Sequence, residues 1–134
     1  MTATALLTKP ILLVEDDSVD AMTVRRALKE IGSTRPLVHR LNGEEALEYL
    51  GSASEAELPG LILLDLNMPR MNGLEFLEIK AADERLREVS VVVLSTSTNS
   101  HDIERSYELG ATGYIVKSID YRSFVDSIRH LDLY

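Results

Sequence analysis

ILLVEDD (11–17) and LILLD (61–65) decide the fold. Each is a short apolar run that ends in carboxylates: Glu15, Asp16 and Asp17 after the first, Asp65 after the second. Four or five apolar residues without alternation mark a strand covered on both faces, as in a parallel sheet flanked by helices. If the two strands are neighbours, Glu15, Asp16 and Asp65 meet at one sheet edge, where two charges about 4 Å apart repel by roughly 4 kcal/mol at an effective dielectric near 20. A cation relieves that repulsion. The two motifs therefore point to a hard divalent ion and an acidic nucleophile.

Outward from these runs, apolar stretches alternate with amphipathic ones along the whole chain, the pattern of strand–helix units winding a parallel sheet. A strand over 10–15 leads to a helix with Ala21, Val24, Leu28 and Ile31 on one face, capped by Asp17 or Ser18 and ending near Gly32. The mixed run 37–40 suits an edge strand, and Asn42 opens a short helix carrying Ala46, Leu47 and Leu50. Residues 51–60 read as a surface loop closed by Pro59-Gly60 before the central strand 61–65. Asn72-Gly73 starts a third helix with Leu74 and Leu77 inward. Residues 89–94 form the most apolar strand, ended by Ser95. A helix over about 99–109 stops at Gly110, 113–116 is a fifth strand, and 121–131 is a last helix through Phe124, Val125 and Ile128.

Right-handed crossovers in an open parallel sheet favour strand order 2-1-3-4-5, a three-layer α/β sandwich of five βα units with the flavodoxin-like topology. Strands one and three are then adjacent at the switch point where ligands bind, and the strand ends deliver Glu15, Asp16, Asp65, Ser95 and Lys117 to one rim. Taken singly these residues have plain alternatives: acidic residues before a helix serve as caps, Asp65 suits a turn, and Lys117 suits a solvated strand end. A phosphorylated carboxylate needs a fixed cation and a hydroxyl donor, and Lys117 with Ser95 supplies both. Met68 and Met71 read as packing residues.

The 134 residues fit one domain over 1–134, with an N-terminal arm over about 1–9, and 45% hydrophobic content is enough for a core. With 22 acidic against 14 basic residues, the net charge of -8 repels nucleic acid and anionic membrane. Cysteine is absent, which excludes disulfides, thiolate chemistry and cysteine-ligated zinc. No stretch has bilayer-spanning length, and the start lacks the pattern of a secretory signal, so the expected location is cytoplasmic.

ILLVEDD (11–17), LILLDLNMPRMNG (61–73), VVVLSTS (91–97) and GATGYIVKS (110–118) stand in the order and spacing of a bacterial two-component response regulator receiver domain, which the chain resembles over essentially its whole length. The resemblance implies a phosphoacceptor that is not an enzyme in the ordinary sense but assists its own phosphorylation and dephosphorylation. Asp65 would take a phosphoryl group from a phosphohistidine on a sensor histidine kinase. Mg²⁺, with Mn²⁺ as a substitute, would be held by Asp16, Asp65 and the Asn67 backbone carbonyl, with Glu15 reached directly or through water. Ser95 and Lys117 would bind phosphoryl oxygens, Tyr114 would be the switch aromatic, and Asn67, Thr96 and Ser97 would modulate phosphate lifetime. Two positions depart from the family pattern. Glu15 replaces the commoner aspartate, and Ser118 replaces the usual proline, which leaves the Lys117–Ser118 peptide open between cis and trans because a cis bond before serine costs about 2.5–4 kcal/mol.

VEDDSVDAMTVRRAL (14–28), STS and KS narrow the resemblance to single-domain regulators that partner bacterial phytochromes and related hybrid kinases. It implies signalling by association: with a kinase, a histidine phosphotransfer protein, an effector, or a second copy through the face of the fourth helix, fifth strand and fifth helix. Tyr121, Phe124, Ile128, Leu131, Leu133 and Tyr134 are candidates for the apolar surface of a homodimer. A flavin carrier would share the sheet order, but Glu15-Asp16-Asp17 would repel a flavin phosphate at the first βα loop. An aspartyl-phosphate phosphatase would usually have a second aspartate where Asn67 stands.

Overall fold

The computed structural model describes residues 9–68, 70–117 and 120–131. Five strands alternate with five helices: β1 (Ile11–Val14), α1 (Ser18–Glu30), β2 (Leu37–Arg40), α2 (Gly43–Ser52), β3 (Leu61–Asp65), α3 (Gly73–Ala82), β4 (Ser90–Ser95), α4 (Ser100–Glu108), β5 (Gly113–Val116) and α5 (Tyr121–Arg129). All pairings are parallel, in the expected order β2-β1-β3-β4-β5. Val14 pairs with Leu64, and Asp65 with Leu94, so the acidic ends of β1 and β3 reach the same rim.

Alternation along the strands divides the core into two layers. Ile11, Leu13, Leu61, Leu63, Val92 and Leu94 pack against Ala21, Val24 and Leu28 of α1 and Phe124, Val125 and Ile128 of α5. Leu12, Val14, Ile62, Leu64, Val91 and Val93 face the other way, onto Ala46 and Leu50 of α2 and Phe76 and Leu77 of α3. The side chains of β1 and of Leu61–Leu64 are buried, each stabilising the fold by about 1.5–3 kcal/mol relative to exposure.

Polar side chains fix the helix starts. Asp17 caps α1 by accepting from the amides of Val19 and Asp20, Asn42 caps α2, and Asn72 with Glu75 closes a reciprocal capping box on α3. Each such cap contributes about 1 kcal/mol. Gly32 and Gly110 follow α1 and α4 with φ of 81° and 101°, a left-handed backbone that ends a helix cheaply only at glycine.

Several expectations change in the structure. Helix α2 continues through Gly51 to Ser52, because Arg85 closes its C-terminal end by donating to the carbonyls of Leu50 and Ala53. Phe76, rather than Leu74, is the large buried side chain beside Leu77, and Leu74 is half-buried at the margin. Phe124 and Ile128 belong to the core and are not available for pairing, since α5 turns its apolar stripe onto β3 and β4. Tyr121 and Leu131 are half-buried against the same core, while Leu133, Tyr134, the Lys117–Ser118 peptide and residues 1–8 of the expected arm lie outside the described residues. On the face of α4 and β5, the exposed apolar side chains are Tyr107 and Val116.

Candidate functional site

The first βα turn, the end of β3 and the end of β5 build one acidic pocket around one ammonium. Glu15 continues β1, its amide bonded to the Arg40 carbonyl at 3.0 Å, which aims its side chain into the rim. Asp16 follows it and is exposed. Asp65 closes β3 and is 5% exposed. Carboxylate oxygens of Glu15, Asp16 and Asp65 lie within 4.8 Å of one another, the only such group of potential metal ligands among the described residues.

Lys117 extends β5 by one rung, its amide donating to the Ser95 carbonyl at 2.7 Å. Its ammonium then reaches across β4 and β3 to Glu15 Oε1 at 2.7 Å, Asp20 Oδ2 at 2.8 Å and Asp65 Oδ1 at 3.4 Å. Burial alone pushes the Lys117 ammonium down, but the hydrogen bonds to Asp20 and Glu15 and the charges of Glu15 and Asp65 outweigh it, so it is held above the ordinary lysine range. Glu15 moves upward to about 8, chiefly by burial and then by the Asp65 carboxyl beside it, with Lys117 pulling the other way. Asp20 is absent from the expected site. It stands in the first turn of α1 next to the cap Asp17, and its role is invisible until the fold brings Lys117 across.

The donor set suits a hard divalent cation. Glu15 Oε2 is buried and no hydrogen-bond donor reaches it, although Oε1 is held by Lys117. An orphaned carboxyl oxygen beside two further carboxyl groups is what Mg²⁺ or Mn²⁺ satisfies, since these ions take oxygen ligands and keep several waters. His39, on β2, hydrogen-bonds through Nε2 to the Glu15 carbonyl at 2.7 Å and braces the same turn.

The loop after β3 is fitted to Asp65. The Asn67 amide donates to Asp65 Oδ1 at 3.2 Å, and the Gly73 amide donates to the Leu66 carbonyl at 2.9 Å, drawing the start of α3 against the end of β3. A Cβ at Gly73 would meet the Asp65 carbonyl oxygen and Leu66 Cα at 2.7 Å, so this approach is open only to glycine. Met68 is buried and Met71 half-buried, both packed in the core layer of α2 and α3.

Ser95, Ser97 and Tyr114 form a second, linked group. Ser95 is fully buried at the end of β4, and its hydroxyl oxygen accepts from the Ser97 amide at 3.1 Å. Tyr114 donates its hydroxyl to the Ser97 carbonyl at 2.9 Å. The Ser97 hydroxyl donates to Asp102 Oδ2 on α4 at 2.7 Å, a partner the sequence does not single out. Thr96 is exposed between them. The β4–α4 loop is thus tied to β5 and to α4 through one serine.

The response regulator receiver domain family matches residues 11–129. The probable methanogenesis regulatory protein FilR2 of Methanothrix harundinacea is 35% identical over 126 residues, covering 92% of this chain and 81% of that protein. The phosphorylated cyanobacterial phytochrome response regulator RcpA is similar in structure with a TM-score of 0.83 at 37% identity, covering 92% of this chain and 91% of the other. The Mn²⁺-bound form of response regulator Rcp1 gives 0.82 at 35% identity, covering 94% and 93%; Rcp1 is a protein of Synechocystis sp.. Among the described residues no helix is long and apolar enough to cross a membrane.

Proposed function

The chain belongs to the response regulator receiver domain family, and from that premise we propose that it is a phosphoacceptor in which Asp65 receives a phosphoryl group from a phosphohistidine of a sensor histidine kinase. One observation carries this reading: Asp65 is nearly buried, grouped with the carboxyl groups of Glu15 and Asp16 and faced by the ammonium of Lys117 at 3.4 Å. A lone structural aspartate has no use for both. An Asp65 oxygen attacks phosphorus, the P–O bond forms, the P–N bond breaks, and the imidazole nitrogen leaves with the electron pair and takes up a proton. Mg²⁺, held by Glu15, Asp16, Asp65 and the Asn67 backbone carbonyl, would neutralise charge on the transferring oxygens, the main requirement of a loose transition state.

The remaining work falls to the chain's own groups. Lys117 supplies fixed positive charge to the phosphoryl oxygens on the side of Asp65 facing α1. Ser95 is the hydroxyl donor, and its movement toward the phosphoryl group would exchange the contact with the Ser97 amide for one with a phosphoryl oxygen. That exchange loosens the serine to which Tyr114 and Asp102 are tied, and the change travels to α4 and β5. Asn67, Thr96 and Ser97 border the path of the hydrolytic water and set phosphate lifetime. The same geometry that speeds transfer speeds hydrolysis, so the domain promotes both.

The kinase is one of phytochrome or hybrid type, a reading supported by the likeness to the cyanobacterial phytochrome response regulator RcpA. The output is association, with a histidine phosphotransfer protein, an effector or a second copy through the face of α4, β5 and α5, where Tyr107 and Val116 are exposed. A role without nucleic acid or membrane agrees with the charge of -8.

Acetyl phosphate and Mg²⁺ should shift the wild-type protein on a phosphate-affinity gel and leave Asp65→Asn unshifted; equal shifts in both would remove Asp65 from the reaction. Gel filtration with and without beryllofluoride then tests assembly, an unchanged monomer counting against the dimer.

A further inference from the structure

Lys117 has three donors and three carboxylates around it, but the carboxylates are not equivalent. Glu15 and Asp65 belong to the cluster that suits a divalent ion, whereas Asp20, 2.8 Å from the ammonium, stands outside it on the first turn of α1. An ammonium on a four-carbon stem keeps its place only where it is anchored. The Lys117 side chain is 16% exposed and lines a cavity of about 50 Å³ with Asp20, Thr23, Val24, Leu94 and Phe124, so burial confines the stem without fixing the ammonium. Ion pairs therefore decide where the charge sits. A cation on Glu15 Oε2 would stand beside the Lys117 ammonium on Oε1, and the two positive charges repel. Asp20 is the one partner of Lys117 that such a cation leaves in place.

We propose that Asp20 is a positioning residue for phosphoryl transfer, its carboxylate tethering the Lys117 ammonium on the α1 side of the cluster, beside Asp65 and clear of the oxygens that take the metal. This rests on the phosphoacceptor reading above. With Asp20 in place, Lys117 keeps one donor directed at Asp65 and the incoming phosphoryl oxygens. Without it, the ammonium settles onto Glu15 and Asp65, opposes the divalent ion, and meets the phosphoryl group unaligned. The tether needs a carboxylate on this turn of α1, so glutamate replaces it in part and asparagine does not.

The test is a double-mutant cycle of Asp20→Asn and Lys117→Ala, with Asp20→Glu as the rescue variant. Two quantities are followed: Mg²⁺ affinity by titration calorimetry, and the initial rate of acetyl phosphate labelling at saturating Mg²⁺, in which the Asp65–phosphorus bond forms and acetate leaves. With Lys117 present, Asp20→Asn should weaken Mg²⁺ binding and slow labelling about tenfold, the scale of one charge-assisted hydrogen bond lost in the transition state. In the Lys117→Ala background the same substitution should change either quantity by less than about twofold. Asp20→Glu should recover part of the rate. Equal losses in both backgrounds would make Asp20 a charge that acts on the metal directly, and an unaltered rate in Asp20→Asn would leave it without a role; either overturns the proposal. A wild-type protein that acetyl phosphate does not label would instead refute the phosphoacceptor reading, so the two failures are distinct.

Discussion

Glu15 answers to two demands, and its acidity records the conflict. In the metal-free protein it is buried beside Asp65 and its value rises to about 8 from an ordinary 4.5, so near neutral pH it holds a proton that a divalent ion must displace. Mg²⁺ binding should therefore release close to one proton at pH 7, weaken as pH falls below about 8, and become proton-neutral above it. Calorimetry in buffers of different ionisation enthalpy measures that proton directly. The stability consequence has the opposite sense to that of a salt-bridged carboxylate. Between 4.5 and about 8 the native state binds this proton and the unfolded state does not, so metal-free stability falls as pH rises through that window and levels off beyond it. Glu15→Gln should remove this part of the slope, its urea midpoint gaining on the wild type from pH 5 to 9. A constant difference across that range would show that Glu15 is already ionised without metal.

The elements were legible wherever one local signal sufficed. Strands β3 and β5 and the edge strand β2 coincide with their expected bounds because apolar or mixed runs are cut off by charge, glycine or proline. Helix starts were legible through Asp17, Asn42 and Asn72, whose side chains do what their residue types allow. What escaped was set by partners distant in sequence: the last turn of α2, closed by Arg85, and the pairing of Asp20 with Lys117 across 97 positions. Of the residues that the resemblance offers for pairing, Phe124 and Ile128 turned out to be core, because a stripe that covers a sheet and a stripe that covers a partner look alike in sequence. The junction of β3 and α3 offers a test at this scale. Gly73→Ala forces a methyl into the Asp65 carbonyl and Leu66, and should cost about 1–3 kcal/mol as overpacking does. The strain falls on the loop that orients Asp65, so acetyl phosphate labelling should slow as well. A denaturation midpoint equal to wild type would mean that the loop yields freely.

At the scale of the whole molecule, the site sets binding against stability. Lys117 faces Glu15 and Asp65, but among the described residues no salt bridge reaches Asp16, which adds its negative charge to a rim on a protein already at -8. Removing that charge leaves no buried partner unpaired, so Asp16→Asn should stabilise the metal-free fold by about 1 kcal/mol, the scale of a surface charge interaction, and raise Tm by roughly 4 °C. With Mg²⁺ the order should reverse. A ligand that binds only the native state stabilises it by about 2.7 kcal/mol at one hundred times its Kd, and the variant, short of a metal ligand, should gain little of this. Thermal melts of both proteins in a chelator and in millimolar Mg²⁺ should therefore cross: the variant higher without the ion, the wild type higher with it. A wild type more stable under both conditions would mean that the acidic rim carries no strain for a metal to relieve, and that Asp16 is held by the fold for some other reason.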